Sequence, residues 1–158
     1  MKQPTAIWID TIANLDRVRT HLPLASKAAT AKNPIVISFV VYDLPGRDCH
    51  ALASNGEIAT GQLAKYKKDY IEVFASILSK NKNPNVRVVL IIEPDSLPNI
   101  ATNLQSTPKC ADAADDYYNG VAYALATLSA IPNTFLYIDA AHGGWLGWEN
   151  NAKVTCLL

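Results

Sequence analysis

Val89-Leu90-Ile91-Ile92-Glu93-Pro94-Asp95-Ser96-Leu97 is the stretch that decides how this chain is read. An apolar, largely β-branched run ends abruptly in two carboxylates around a proline. Such a run reads as a buried parallel strand, and the proline, which has no N–H to donate, stops the ladder where the acids begin. In α/β folds, ligands gather outside the carboxyl ends of the strands. A carboxyl group such as Asp95 at that rim is partly desolvated, which raises its pKa toward the range of a general acid. The same position also suits a helix N-cap, with the carboxylate accepting from the first amides of a following helix. Glu93 reads as a buried, hydrogen-bonded structural group turned away from Asp95.

The design recurs upstream in Phe39-Val40-Val41-Tyr42-Asp43-Leu44-Pro45-Gly46-Arg47-Asp48-Cys49, again an apolar run, a proline and then charge. This segment continues through His50-Ala51-Leu52-Ala53-Ser54-Asn55-Gly56-Glu57. With Ile91 to Leu97, with Tyr137-Ile138-Asp139-Ala140-Ala141-His142-Gly143-Gly144-Trp145-Leu146-Gly147-Trp148, and with Ile7-Trp8-Ile9-Asp10-Thr11, it resembles the paired signatures of glycoside hydrolase family 6. That family comprises the cellobiohydrolases and endoglucanases that cut β-1,4-glucan. The matching pieces run in order from about residue 6 to residue 150.

The resemblance implies a role for each matching residue. Asp95 is the general acid. Asp48 is the second catalytic aspartate, close enough to raise the acid's pKa, because two neighbouring carboxylates do not both ionise freely. Tyr42 lies under the distorted sugar at the cleavage point, and Ser54 holds a water on the path by which the nucleophile's proton leaves. Arg47 accompanies them; without the resemblance, Arg47 beside Asp48 reads as a surface ion pair. Asp10, Asp139 and His142 bind sugar hydroxyls or order the site. Trp8, Trp145 and Trp148 offer indole faces to glucose rings, although Trp148 equally suits a core. Family 6 inverts the anomeric centre, and inverting sites hold their carboxyls roughly 6.5–9.5 Å apart. No cofactor is implied. A metal at Asp139 and His142 lacks the further ligands it would need.

Composition allows this reading without demanding it. The 158 residues are 49% hydrophobic and 18% charged, with zero formal net charge. That suits one modest globular domain and gives no pointer to nucleic acid or an anionic membrane. No apolar stretch approaches a membrane span. Met1-Lys2-Gln3-Pro4-Thr5 carries no signal core, so the resemblance, rather than a signal peptide, implies secretion. It also implies a disulfide between Cys49 and Cys110, where the alternative is two reduced, buried thiols. Cys156 has no evident partner.

Four strands are expected: Ala6 to Asp10, Ile35 to Tyr42, Val86 to Ile92, and Phe135 to Asp139. Helices are expected over Ile12 to Ala29 with an interruption at Pro23, over Leu63 to Leu78, and over Tyr117 to Leu128. Long connections are expected from Asp43 to Gly61 and from Pro94 to Lys109, on one rim with Gly143 to Asn151. Strand–helix alternation gives an α/β fold with a parallel sheet. The resemblance makes it about half of a distorted (β/α) barrel of some seven strands. Residues 1–158 then form a single incomplete catalytic domain, with a tail at 152–158 that departs from the family pattern. An incomplete barrel leaves an open strand edge that invites self-association. The partner implied is cellulose or a cello-oligosaccharide, and the long first loop favours release of cellobiose. Two other readings remain at this point. One is a glucan-binding remnant without activity. The other is a cytosolic doubly wound binding domain whose carboxylates are helix caps and whose Cys49 and Cys110 are reduced.

Overall fold

A computed structural model describes residues 5–51 and 54–156; the expectations that fall on residues 1–4, 52–53 and 157–158 lie outside the described residues. Four strands, β1 (Ile7–Ile9), β2 (Ile35–Val41), β3 (Val86–Ile92) and β4 (Thr134–Ile138), make one sheet in the order β1-β2-β3-β4, and every neighbouring pair is parallel. The connections are helical. They are α1 (Leu15–Ala28), then α2 (Leu63–Lys65) leading through a π-helical segment at Tyr66–Ile71 into α3 (Glu72–Leu78), then α4 (Ser96–Asn103) and α5 (Pro108–Ser129). A final helix, α6 (Glu149–Thr155), follows β4 and takes in most of the tail.

The strands alternate as a parallel sheet requires. Ile35, Ile37, Phe39 and Val41 of β2, with Val86, Val88, Leu90 and Ile92 of β3, face the helices and form the core with Val18, Leu22, Phe74, Tyr117 and Leu128. The opposite face is built in cross-strand rows. Register aligns Trp8, Val40, Ile91 and Tyr137 in one row and Ser38, Val89 and Phe135 in another. That face is open. Tyr137 is 61% exposed, Phe135 48% and Val36 65%. Parallel sheets are normally covered on both faces; among the described residues, helices cover one face here.

Three expectations are corrected. The stretch from Pro94 to Lys109 is not a long loop, because α4 and the first turn of α5 occupy much of it. Pro98 sits in the first turn of α4 and Pro108 opens α5, positions where a missing N–H costs no intrahelical bond. Pro23 does not interrupt α1, which runs unbroken from Leu15 to Ala28. Burial of Leu15, Val18 and Leu22 against the sheet outweighs the roughly 3 kcal/mol penalty of an internal proline. The third helix begins nine residues before Tyr117, at Pro108, and its added turns carry Cys110 and Asp116 against the loop after β2.

That loop is moulded on α5. Cys49 and Cys110 are disulfide-bonded, with Cα atoms 4.9 Å apart. The Tyr117 hydroxyl donates to the Gly46 carbonyl at 2.9 Å and accepts from the Cys49 amide at 3.3 Å. The buried Asp116 carboxylate accepts from the Gly61 amide at 2.6 Å. Gly120 lets the loop approach: a Cβ there would stand 2.4 Å from Leu44 Cδ2. The doubly wound domain with reduced thiols is thereby set aside. The disulfide spans 61 residues of sequence, worth about 4 kcal/mol in the chain-entropy account. A Cys49→Ala/Cys110→Ala variant is expected to melt roughly 10 °C below the native chain, read by circular dichroism.

Candidate functional site

The C-terminal ends of β2, β3 and β4 deliver Tyr42, the Glu93-Pro94-Asp95 turn and Asp139 to one rim. The backbone there is strained. Positive φ occurs at Asp48 (54°), Ser54 (99°), Glu93 (46°), Asp95 (62°) and Ala141 (51°); among the described non-glycine residues, the one other case is Asn133 (60°). Side chains with a Cβ enter this region at a cost, and such residues persist where surrounding contacts over-determine them. The consequence at β3 is direct. On an extended chain, residues two apart share a face. The left-handed turns at Glu93 and Asp95 separate the two carboxyls, sending one inward and leaving the other at the rim.

Glu93 goes inward and is 1% exposed. Its carboxylate accepts from the amides of Asp43 (3.1 Å) and Leu44 (3.3 Å) and from the Tyr66 hydroxyl (2.8 Å). The Glu93 amide donates to the Val41 carbonyl at 2.8 Å. Tyr70, next to Tyr66 on the π-helical segment, donates to the Ile9 carbonyl and accepts from the Tyr42 amide. Both tyrosine acidities are suppressed, first by burial and then by the Glu93 charge. A π-helical turn lets Tyr66 and Tyr70 both aim their hydroxyls at the strand ends. This network was not legible in the sequence beyond one hint: a buried tyrosine needs a partner for its hydroxyl.

Asp95 occupies the position before α4 but makes no side-chain capping bond, so the N-cap reading fails. Its amide donates to Asp139 Oδ2 at 2.9 Å, and Asp139 Oδ1 accepts from the Ala141 amide at 3.1 Å. The Asp95 side chain reaches solvent on the open side. Its pKa is raised, first by partial burial, then by the charges of Asp139 and Asp48, with His142 opposing.

Asp48 faces the same space from the loop after β2. Tyr42 donates its hydroxyl to Asp48 Oδ2 at 2.6 Å. Tyr42 is held well above the ordinary phenol range by burial, by that bond and by the Asp48 charge. Trp8 packs edge-on against Tyr42, ring centroids 5.3 Å apart. Arg47 is not in a surface ion pair with Asp48. Its guanidinium donates to the carbonyls of Asp10 and Tyr42, both at 2.6 Å, and of Ser54 at 3.1 Å. It lies 4.5 Å from the Tyr42 ring centre and 3.7 Å from Asp43 Oδ1. One arginine thus ties the ends of β1 and β2 to the far side of the loop. Asp10 itself accepts from Asn14 Nδ2 at 2.6 Å.

The structure brings Trp8, Asp10, Tyr42, Arg47 and Asp48 into one cluster and Asp95, Asp139 and His142 into a second, the two facing each other across the rim. Trp145 is half-buried and donates its indole N–H to Thr102 at 3.1 Å, a partner the sequence gave no reason to single out. The His142 and Trp145 rings are 6.4 Å apart. Trp148 is 68% exposed, which excludes the core reading. Among the described residues, no group of three or more His, Cys, Asp or Glu side chains is placed to hold a metal ion.

Known proteins share this sequence and fold. The profile of the glycosyl hydrolases family 6 matches residues 1–157. Exoglucanase A of Cellulomonas fimi is 47% identical over 165 residues, an alignment that covers 99% of this chain and 19% of that protein. A 1,4-beta-D-glucan cellobiohydrolase of Podospora anserina is 52% identical over 147 residues, covering 93% of this chain and 34% of its own. A solved catalytic domain in complex with p-nitrophenyl beta-D-cellotrioside superposes with a TM-score of 0.88 at 42% identity, over 96% of this chain and 42% of the other. The chain therefore spans between a fifth and a half of the length of these relatives.

Burial acts on two further carboxyls. It pushes Glu93 up to about 7 and Asp43 up to about 8, the latter helped by the nearby charges of Glu57 and Glu93. Asp43 is fully buried. A carboxyl raised in the folded state contributes stability that is complete below its ordinary pKa near 4 and is lost as pH rises through the folded value. Stability is therefore expected to fall between pH 5 and pH 8. The loss is on the order of 3 kcal/mol from Glu93 alone, or about 6–12 °C in Tm. Circular dichroism melts across that range check this. Glu93→Gln, which keeps one acceptor oxygen and loses the titration, is expected to melt lower than native at pH 5 and to flatten the pH dependence.

Proposed function

Because the chain belongs to glycosyl hydrolases family 6, we propose that it carries the acid side of an inverting site for β-1,4-glucan. In this reading Asp95 protonates the leaving glycosidic oxygen. Asp48, held by Tyr42 and by the Tyr117 staple, keeps that proton on Asp95 and supports the positive charge that develops on the sugar ring. The observation that carries the proposal is the pairing of two carboxyls on one strained rim, one of them free of any capping role and raised by partial burial and by the charges of Asp139 and Asp48. Arg47 fixes the loop that presents Asp48, and Ser54, whose carbonyl Arg47 grips, is the residue for the water on the far side. Trp8, exposed beside Tyr42, with Trp145 and Trp148, supplies faces for glucose rings. Asp10, Asp139 and His142 supply polar contacts. The substrate is cellulose or a cello-oligosaccharide and the product is cellobiose. The disulfide fits an oxidising, extracellular setting.

A second reading rests on the open wall. The sheet face bearing Val36, Phe135 and Tyr137 is uncovered, and the site has walls on one side. In this reading the chain binds glucan through Trp8, Trp145 and Trp148 without cleaving it.

Sugar release from cellohexaose by the chain and by Asp95→Asn separates these readings. The first reading expects release by the native chain and a loss of about 10²–10⁴-fold in the variant. Absence of release by both, with cellohexaose still bound, favours binding without cleavage. Within the first reading, Asp139→Asn removes a like charge beside Asp95 and lowers the acid's pKa. The alkaline limb of the pH–rate profile is then expected to move to lower pH.

A further inference from the structure

Four cations converge on one cleft at the end of the sheet remote from the acidic rim. Helices α1 and α3 both run back from that rim, and between their C-terminal ends lies a cavity of about 580 Å³. Arg19 and Lys27 line it from α1, and Lys80 and Lys82 from the segment after α3. Leu22, Pro23 and Ile77 form an apolar floor, and no carboxylate lines it. The floor is fixed by the core, since Leu22 and Ile77 are 3% and 5% exposed. The walls are fixed to one another: Asn83, just beyond Lys82, donates from Nδ2 to the carbonyls of Ser26 (2.7 Å) and Ala29 (3.2 Å) at the end of α1.

Folding alone does not explain the clustering. A helix dipole favours cations in the last turn by about 0.3–1 kcal/mol, which accounts for Lys27. It does not account for Arg19, in the first half of α1, or for Lys80 and Lys82, past the end of α3. Arg19 has one carboxylate partner, Asp16 at 3.1 Å, and both are exposed. Among the described residues, the three lysines form no ion pair. The chain has no net charge, so this cleft concentrates cations that the surface as a whole balances.

We propose that the cleft binds an organic polycarboxylate, a rigid apolar body bearing two or more carboxylates. The body rests on the exposed ring of Pro23 and the aliphatic stems of the lysines, above the buried Leu22 and Ile77. Carboxylates at its opposite ends reach Arg19 and Lys27 on one wall and Lys80 and Lys82 on the other. An inorganic anion leaves Pro23 and those stems uncovered, and a neutral apolar molecule leaves the cations unpaired. The cavity lies within the roughly 300–1,000 Å³ of small-molecule sites. The proposal is independent of the chemistry at the rim.

Methyl NMR of the folded chain tests it, with benzene-1,3,5-tricarboxylate as the probe. The expected result is saturable movement of the Leu22 and Ile77 methyl signals with a Kd of about 1 mM, weakening as salt is raised. Inorganic phosphate is expected to bind at least tenfold more weakly and to leave those methyls unmoved. The neutral 1,3,5-tris(hydroxymethyl)benzene is expected not to bind. The Lys80→Gln/Lys82→Gln variant, in which both changes are on exposed side chains, is expected to keep its Tm and to bind the tricarboxylate at least fivefold more weakly. Absence of methyl shifts up to about 20 mM probe overturns the proposal. So does equal binding of the neutral analogue or of phosphate, or an unchanged Kd in the double variant.

Discussion

The buried Glu93 carboxylate is the constraint on which the acidic rim depends. It leaves the end of β3, turns inward, and receives the amides of Asp43 and Leu44 and the hydroxyl of Tyr66. Those donors belong to two separate elements, the loop after β2 and the π-helical segment. A buried carboxylate without them would carry a desolvation cost of several kcal/mol; with them it cross-links the loop after β2 to the end of β3. Where the loop begins, and therefore where Asp48 sits relative to Asp95, follows from that one group. The left-handed turns at Glu93 and Asp95 are the local cost of the arrangement.

The loop needs a second surface, and α5 supplies it. Cys110, Asp116, Tyr117 and Gly120 lie along one side of that helix, at the spacing that puts residues on a common face. They act by different means: a covalent bond, a carboxylate on the Gly61 amide, a hydroxyl bridging Gly46 and Cys49, and an absent side chain that admits Leu44. Arg47 closes the arrangement from inside the loop by taking three carbonyls from three segments. A loop so heavily held is a scaffold for positioned groups, as a functional loop on a rigid sheet is expected to be. It stands beside an open sheet face, so half of the rim is well ordered and the other half meets solvent. Asp95, which sits at the boundary, is accordingly desolvated only in part.

Much of this was legible before any geometry. The apolar runs, two of them ending in Pro-flanked acids, gave three strands to within about a residue at most ends, their parallel order and the shared rim, because strand burial and proline punctuation are local properties written in residue type. Four readings needed more than local pattern. Pro23 was tolerated because the whole apolar stripe of α1 packs on the sheet. The segment after Asp95 became helix because Pro98 and Pro108 fall in first turns. Arg47 turned from its neighbour Asp48 to carbonyls contributed by Asp10, Tyr42 and Ser54. Thr102 became the partner of Trp145 only when α4 lay beside the loop after β4.

The sequence by itself determined the alternation of strands and helices, the delivery of Tyr42, Asp48, Asp95 and Asp139 to one edge, and the family to which the chain belongs. These follow from periodicity, proline placement and long ordered motifs. The tertiary structure alone decided which carboxyls are buried and which are free. It alone showed that full burial forces Glu93 and Asp43 toward neutrality, that Asp95 is raised by partial burial and then by the charges of Asp139 and Asp48, and that one face of the sheet is left bare. The reason is physical: desolvation and hydrogen-bond satisfaction depend on atoms brought together from distant segments, and residue order fixes those atoms only through the fold.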